Sequence, residues 1–144
     1  MKAENRGNEG FLQREKEKLK LLTKRNRGRN VRRVMAEVKV FIRGWLGYFH
    51  VAEMKRMMKS WDEWLRRRFR MYIWKQWKKP RTKVANLKKR GIPADKAYQW
   101  GNSRLSYWRI AGSPVLACSI TNERLATAGH FSILNCYESL HSCD

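Results

Sequence analysis

The sequence predicts an all-α fold, a helical bundle followed by a small and mostly helical C-terminal extension. Apolar residues recur at helical spacing along nearly the whole chain, and no convincing run of alternating β-branched residues indicates a strand. Seven Trp residues and a hydrophobic fraction of 42% are enough to build a core, so general disorder is excluded.

The N-terminal part predicts one helix that ends in a basic turn. We expect residues 1–10 to be unstructured, and we expect a helix over 11–24, where three leucines form a loose stripe among charged residues. The sequence RNRGRN, with Gly28 in its centre, then breaks the helical pattern.

The next segment has the clearest helical period of the chain, and Asn30 is placed to cap its first turn. Gly44 and Gly47 face away from the apolar stripe, and each costs about 1 kcal/mol inside a helix. Either the helix frays or ends at these glycines, or RNA or another backbone approaches closely there; the sequence leaves both open. The stripe consists of Val31, Val34, Met35, Val38, Phe41, Ile42, Trp45, Leu46, Tyr48 and Phe49.

Ser60 to Lys79 predict the third strong helix. Ser60 and Glu63 have the spacing of a capping box, Asp62 suits the positive end of the helix dipole, and Pro80 ends the helix. Met54, Met57 and Met58 are expected in a short turn before it. The predicted buried face comprises Trp61, Trp64, Leu65, Phe69, Met71, Tyr72 and Ile73, whereas Trp74 and Trp77 are expected to project outward among arginines and lysines.

Shorter helices are predicted beyond Pro80. One ends at Gly91, and others begin at Pro93, at Ser113 and near Thr121. The last of these ends at Gly129, and the tail from Phe131 onward fits a brief strand, a short helix or a packed coil.

The charge is large and unevenly placed. The 144 residues carry 33 Lys and Arg against 12 Asp and Glu, a formal net charge of +21. Beyond Arg90 only Lys96, Arg104, Arg109 and Arg124 are basic, and Asp95, Glu123, Glu138 and Asp144 balance them. The whole excess therefore lies in residues 1–90, and it indicates a polyanionic partner, with nucleic acid favoured over an anionic membrane surface.

We predict a nucleic-acid-binding surface from the clustered cations and two interleaved Trp rings, because exposed rings stack on unpaired bases. A charge run is usually only a solvated face, and a Trp can instead pack beneath neighbouring segments. The predicted binding residues are Lys24, Arg25, Arg27, Arg29, Arg32, Arg33, Lys39, Arg43, Arg66, Arg67, Arg70, Trp74, Lys75, Lys78, Lys79, Arg81 and Lys83; the predicted structural core residues are Trp45, Tyr48, Phe49, Trp61, Trp64 and Leu65.

The residues do not predict catalysis or a cofactor. Asp62, Asp95 and Asp144 are the only aspartates, and no converging carboxylate pair for metal-assisted polymerase chemistry is evident. Cys136, His141 and Cys143, with Cys118 or His130, form a weak alternative as a zinc site, but scattered free thiols in a reducing compartment explain the cysteines better.

The chain is expected to lie in a bacterial-type cytosol or to associate with the nucleoid. It has no apolar run near the roughly 18 residues that a membrane span needs, and its N-terminus lacks a signal-peptide h-region. A basic amphipathic protein lying on anionic membranes is the lowest-ranked alternative, because the Trp-rich stripes suit a bundle core better.

Three sequence blocks resemble the maturase-specific region, or thumb domain X, of group II intron reverse transcriptase/maturases. They are KLKLLTKRNRGRN, FIRGWLGYFHVAEMK and WDEWLRRRFRMYIWKQWKKPRTK. The blocks LKKRGI, YWR, SPVL and TN resemble the region that follows the thumb in that family, so the resemblance runs from about Leu12 to Leu140.

After the disordered N-terminus expected at 1–10, the resemblance implies two parts: a maturase thumb at 11–79 and a DNA-contacting region at 80–144. It also implies binding of group II intron RNA to assist splicing and mobility, with target DNA as a second candidate partner. The polymerase palm with its Tyr-x-Asp-Asp motif has no counterpart here, so we expect a non-enzymatic fragment of a truncated or split gene. The alternative is a detached thumb that supports RNA-directed DNA synthesis only with a separate palm-containing chain.

Overall fold

The computed structural model describes residues 2–24, 28–46, 55–130 and 132–134, apart from the side chains of residues 2–9, 11–12, 45 and 55. The described chain is all-α, as predicted, and contains no strand. Its helices are α1 (Lys2–Leu22), α2 (Val31–Leu46), α3 (Lys55–Gln76), α4 (Pro80–Lys89), α5 (Ala94–Gly101), α6 (Tyr107–Ala111), α7 (Pro114–Ser119) and α8 (Asn122–Ala128).

The first helix is longer than predicted. It begins at Lys2, whereas we expected residues 1–10 to be unstructured. Extending an existing helix adds one hydrogen bond per residue fixed, so a polar stretch can continue a helix that it could not nucleate alone. The last turn of α1 packs into the core. Leu19 is fully buried there, and Thr23 donates to the Leu19 carbonyl oxygen at 2.8 Å.

The second helix confirms the predicted start and apolar stripe. The Asn30 Oδ1 accepts from the Arg32 backbone N–H at 2.8 Å, and Val34, Met35, Val38, Ile42 and Leu46 are buried. The helix continues through Gly44, where a Cβ would meet nothing within 4 Å. No described part of the chain therefore requires a glycine at this position. The side chain of Trp45, and Gly47, Tyr48 and Phe49, lie outside the description.

The third helix begins earlier than predicted, at Lys55, so Ser60 is not an N-cap and Met57 and Met58 belong to the helix. Asp62 consequently lies inside α3. Its carboxylate accepts from the backbone N–H groups of Ile133 at 2.5 Å and Leu134 at 3.2 Å. Burial raises the pKa of Asp62, and these two hydrogen bonds act in the opposite direction. The interpretation of Asp62 as a helix-dipole residue is therefore wrong; it holds the C-terminal segment.

The shorter helices follow the predicted start and stop signals. Ser113 and Thr121 cap α7 and α8 by accepting from the backbone N–H groups of Leu116 and Arg124. Gly91 and Gly129 have φ angles of 90° and 125°, a region that favours glycine, and they follow the ends of α4 and α8. The short helix α6 was not predicted. Ser106 caps it, because its side-chain oxygen accepts from the Arg109 backbone N–H.

One apolar core runs through the described chain. Leu19 of α1, Ile42 of α2 and Phe69 of α3 belong to the same buried cluster as Leu116 and Ile133 from the C-terminal part. Trp61 and Leu65 are buried as predicted, and Trp64 is half-buried against the cluster. The parts on either side of residue 80 therefore share a core, while the division into 11–79 and 80–144 stays a prediction.

Trp74 is a core residue, which contradicts its predicted outward position. Only 1% of its surface is exposed, because the C-terminal part packs on the side of α3 that the sequence alone left open. The Lys83 ammonium nitrogen of α4 lies 4.9 Å from the Trp74 ring centroid and 4.8 Å from that of Tyr107 in α6. Lys83 is itself buried, with 7% of its surface exposed, so its predicted nucleic-acid contact has little accessible surface.

Replacing Trp74 with Ala is expected to lower the free energy of unfolding by about 3–5 kcal/mol, because it leaves a cavity in this core. Val40→Ala is the matched control: Val40 is exposed on α2, and its loss is expected to change stability by less than about 0.5 kcal/mol. Urea unfolding followed by circular dichroism measures both. Equal stability of the two variants would contradict the buried position of Trp74.

Candidate nucleic-acid interface

Arginines of α3 hold the C-terminal part by donating to backbone carbonyl groups. The Arg67 guanidinium donates through Nε and Nη2 to the Trp108 carbonyl oxygen, at 3.0 and 2.8 Å, and lies 4.0 Å from the Trp108 ring centroid. Gly112 makes this position possible, since a Cβ there would stand 2.6 Å from the Arg67 Cζ. Arg67 thus fixes α6 onto α3.

Two further arginines of α3 act in the same way. Arg70 donates from Nε to the Ile120 carbonyl oxygen at 2.7 Å and from Nη2 to the Asn122 Oδ1 at 2.8 Å. Arg68 donates to the Thr23 hydroxyl at 3.0 Å and to the carbonyl oxygen of Lys20 at 2.7 Å. Burial lowers the pKa values of both guanidinium groups. The cluster that the sequence assigned to phosphate contacts therefore has internal partners at Arg67 and Arg70.

The remaining predicted cations are mostly at the surface. Arg29 and Arg33 share the Glu37 carboxylate, with nitrogen-to-oxygen distances of 2.6 and 3.8 Å. Arg66 and Lys39 are half-buried, and Arg25 and Arg27 lie outside the described residues. The exposed members of the predicted set are Lys24, Arg29, Arg32, Arg33, Arg43, Lys75, Lys78, Lys79 and Arg81.

A groove of about 580 Å³ concentrates positive charge where α2, α3, α4 and α8 meet. We call it the Trp77 groove. It is lined by Val31, Arg32, Ile73, Gln76, Trp77, Lys89, Arg90, Ile120, Arg124, Leu125, Thr127 and Ala128, so four cations and no carboxylate are among its described lining residues.

The floor of the Trp77 groove is anchored to the core. Trp77 is half-buried, its ring centroid lies 5.8 Å from that of Trp74, and the Arg90 guanidinium lies 4.9 Å from the Trp77 ring. Trp77 is therefore partly exposed beside cations, whereas the sequence predicted that both tryptophans project outward. Its accessible surface is apolar and borders directly on cations.

Like charges approach each other in this groove. Burial lowers the pKa of Arg90, and the positive charge of Arg124 lowers it further. An anion that binds between two guanidinium groups offsets the repulsion between their positive charges. The described lining of the groove is therefore positively charged.

Of the four cations in this groove, the sequence predicted only Arg32 as a binding residue. Lys89, Arg90 and Arg124 were not among the predicted binding residues. Lys89 and Arg90 belong to the run KKRG, which the sequence analysis used as a helix end and as part of the family resemblance but not as a binding candidate. Arg124 stands in the part of the chain with no net charge. Only the packing of α8 against α3 brings it to the other cations.

His130 lies near Arg66 and Arg70. Its ring packs on Phe69, with the two ring centroids 5.2 Å apart. Its Nε2 is buried without a hydrogen-bond partner among the described residues. Burial lowers the pKa of His130 to about 4, and the charges of Arg66 and Arg70 lower it as well. The imidazole is therefore neutral at pH 7.

The described residues contain no group of three or more side chains that could hold a metal ion. Cys118 is an exposed free thiol, whereas Cys136, His141 and Cys143 of the zinc alternative lie outside the described residues. Among the described helices, none is both long and apolar enough to cross a membrane.

The fold and the groove define a class: an all-α protein with a strongly basic groove built on one central helix. The family follows from comparison with known sequences. The family model described as the group II intron, maturase-specific domain matches residues 12–91, more than half of the 144 residues. The chain therefore belongs to this family, which confirms the resemblance over those residues.

The match ends at residue 91, so it includes α2, α3 and α4 but not α5 to α8. A search of curated proteins found no match to the chain. The DNA-contacting role that the resemblance implied for residues 80–144 consequently remains a prediction.

Replacing Arg70 with Gln is expected to lower the free energy of unfolding by about 1–3 kcal/mol, since two charge-assisted hydrogen bonds to the α7 and α8 ends are lost. Lys59→Gln, an exposed charge change on the same helix, is the control and is expected to be neutral within about 0.5 kcal/mol. Urea unfolding at pH 7 compares them. A neutral Arg70→Gln would show that the guanidinium does not hold α8.

The lowered pKa of His130 predicts acid destabilisation. As the pH falls, the unfolded chain binds a proton near pH 6.5, whereas folded His130 does so only near its pKa of about 4. Its contribution to stability is full above pH 6.5 and is lost between pH 6.5 and 4, by about 3 kcal/mol.

The test compares the pH dependence of urea unfolding in the parent chain and in His130→Phe, which keeps a ring against Phe69. The carboxylates and the other histidines are common to both proteins, so the difference between the two curves isolates His130. The variant is expected to lose less stability over this pH range. Superimposable slopes would contradict a neutral buried imidazole.

Proposed function

We propose that this chain binds the RNA of a group II intron in the Trp77 groove and assists its splicing by stabilising the folded RNA. The observation that carries the proposal is the meeting of Arg32, Lys89, Arg90 and Arg124 in one groove with no described carboxylate. Membership of the maturase-specific family supports intron RNA as the polyanion.

The proposed mechanism is binding without covalent chemistry. Cations that contact phosphates release counterions from the RNA, which supplies affinity that does not depend on sequence. A groove fixed by the core presents these cations in one geometry, so it favours an RNA fold whose phosphates converge at the same spacing. Such a protein promotes splicing by raising the population of the active RNA fold.

This proposal assigns no polymerase activity to the chain alone. The family match falls on the maturase-specific domain and not on a polymerase palm. The described groove offers cations and apolar surface but no carboxylate pair to hold catalytic metal ions. The alternative, support of RNA-directed DNA synthesis as a thumb, would need a polymerase palm in addition to the maturase-specific domain that the match shows.

The double variant Arg32→Gln/Lys89→Gln is expected to bind intron RNA more weakly and with a shallower salt dependence. Each phosphate contact contributes a slope of about 0.7–0.9 in a plot of log K against log salt, so two lost contacts reduce the slope by about 1.5. Filter binding of the full chain to labelled group II intron RNA between about 50 and 200 mM salt measures it.

The control is Arg104→Gln, which removes an exposed charge in the α5–α6 connection, away from the groove. It should leave the slope nearly unchanged. Equal loss in the control and the double variant would contradict a localised site. A splicing assay of the same RNA at limiting Mg²⁺ tests the second half of the proposal, which fails if bound protein does not raise the rate.

A further inference from the structure

A second groove lies on the other side of α4, between α4 and α5. It has a volume of about 720 Å³ and is lined by Lys79, Pro80, Arg81, Val84, Ala85, Lys88, Tyr98 and Asn102. We call it the Tyr98 groove. Its apolar surface comes from Pro80, Val84 and Ala85, and its charged members are three cations, with no carboxylate among the described lining residues.

The close packing of α4 and α5 gives this groove a fixed shape. A Cβ at Gly101 would stand 2.5 Å from Val84 Cγ2 and 3.3 Å from the Pro80 carbonyl oxygen, so the two helices meet at a position that only glycine fits. Ala97 and Leu87 are fully buried between the groove and the core. The wall that carries Tyr98 is therefore held in place without a ligand.

Tyr98 presents its ring to solvent. Its side chain is among the large hydrophobic groups that stay exposed, with 68% of the residue surface accessible. Single exposed apolar residues are common and need no explanation. Here the ring borders an apolar groove rimmed by Lys79, Arg81 and Lys88, and this combination of an aromatic platform with cations is typical of surfaces that bind unpaired nucleotides.

The position of the groove favours RNA as its occupant. Six of its eight lining residues lie within residues 12–91, which match the maturase-specific domain. Adjacent residues of α4 serve the two grooves, since Lys88 lines the Tyr98 groove and Lys89 lines the Trp77 groove. A strand bound in one groove can therefore continue across α4 into the other.

We propose that the Tyr98 groove binds an unpaired segment of the intron RNA, with one base stacked on the Tyr98 ring and flanking phosphates on Lys79, Arg81 and Lys88. This inference rests on the proposed function and adds a base-dependent site to its phosphate contacts. The complementary charge and the apolar floor fit a nucleobase followed by a phosphodiester. An acidic peptide would satisfy the cations but would leave the ring and floor without a planar partner.

The experiment measures fluorescence anisotropy of the full chain with a labelled single-stranded RNA of about 12 nucleotides, a length within the range that such sites cover. A matched RNA carries abasic residues at its central positions. The variants are Tyr98→Ala, Tyr98→Phe and Lys88→Gln, and Lys96→Gln on the exposed surface of α5 is the charge control. Circular dichroism checks that each variant is folded.

Tyr98→Ala is expected to weaken binding of the intact RNA roughly 10-fold and to leave the abasic RNA nearly unaffected, because stacking requires the base. Tyr98→Phe should restore the affinity, since it keeps the ring. Lys88→Gln should weaken both RNAs, and Lys96→Gln should weaken neither by a comparable amount.

Three results would overturn the inference: no effect of Tyr98→Ala, an equal effect on intact and abasic RNA, or competition by polyglutamate at the same charge concentration as RNA. Tighter binding of the DNA of the same sequence would overturn the assignment to RNA. Structured intron RNA is measured in parallel. If it binds with a steep salt dependence while Tyr98→Ala has no effect, only this inference fails; if no RNA binds, the proposed function fails.

Discussion

The structure depends on hydrogen bonds that arginines of α3 donate to the backbone carbonyl groups of neighbouring segments. Arg68 reaches the end of α1, Arg67 reaches α6, and Arg70 reaches the junction of α7 and α8. The same helix uses Gln76 to hold the loop before α2, through the Arg29 carbonyl oxygen at 2.6 Å. A single helix thus satisfies polar groups at the ends of several others, while its apolar residues form the core between them.

The choice of carbonyl acceptors has an electrostatic consequence. A carbonyl oxygen satisfies a guanidinium without cancelling its charge, whereas a carboxylate would neutralise it. Arg67, Arg68 and Arg70 therefore keep their local positive charge, in a chain with 33 basic residues, 12 acidic ones and a formal net charge of +21. Self-repulsion then disfavours the compact state until an anion binds, so RNA binding and folding are expected to reinforce each other.

The sequence predicted the positions of the helices better than it predicted which helices pack against each other. Helical spacing and the caps at Asn30, Ser113 and Thr121 were sufficient to find α2, α7 and α8, because these signals are local. Periodicity shows which side of a helix is apolar but not what covers the other side. Periodicity therefore predicts an outward Trp74, although the residue is buried with Lys83 of α4 over its ring.

The candidate site was predictable only in part, for the same reason. Charge clustering identified Arg32 and the basic run of α3, but it could not distinguish guanidinium groups used inside the protein from those left at the surface. Arg67 and Arg70 belong to the first kind. Arg124, with no basic neighbours in sequence, combines both, because it lines the Trp77 groove and donates to the Ser119 carbonyl oxygen at 2.5 Å. Tertiary packing makes that distinction, and a single sequence does not contain it in readable form.

In the proposed complex, RNA binds the surface around α4, while the arginines of α3 stabilise the fold. Lysine acetylation of the full chain, with and without intron RNA and read by mass spectrometry, tests this most directly, because exposed lysines are spread over the protein. We expect that RNA protects Lys79, Lys88 and Lys89 from acetylation and leaves Lys59 and Lys96 reactive. Uniform protection of all five lysines, or protection of Lys59 and Lys96 alone, would contradict it.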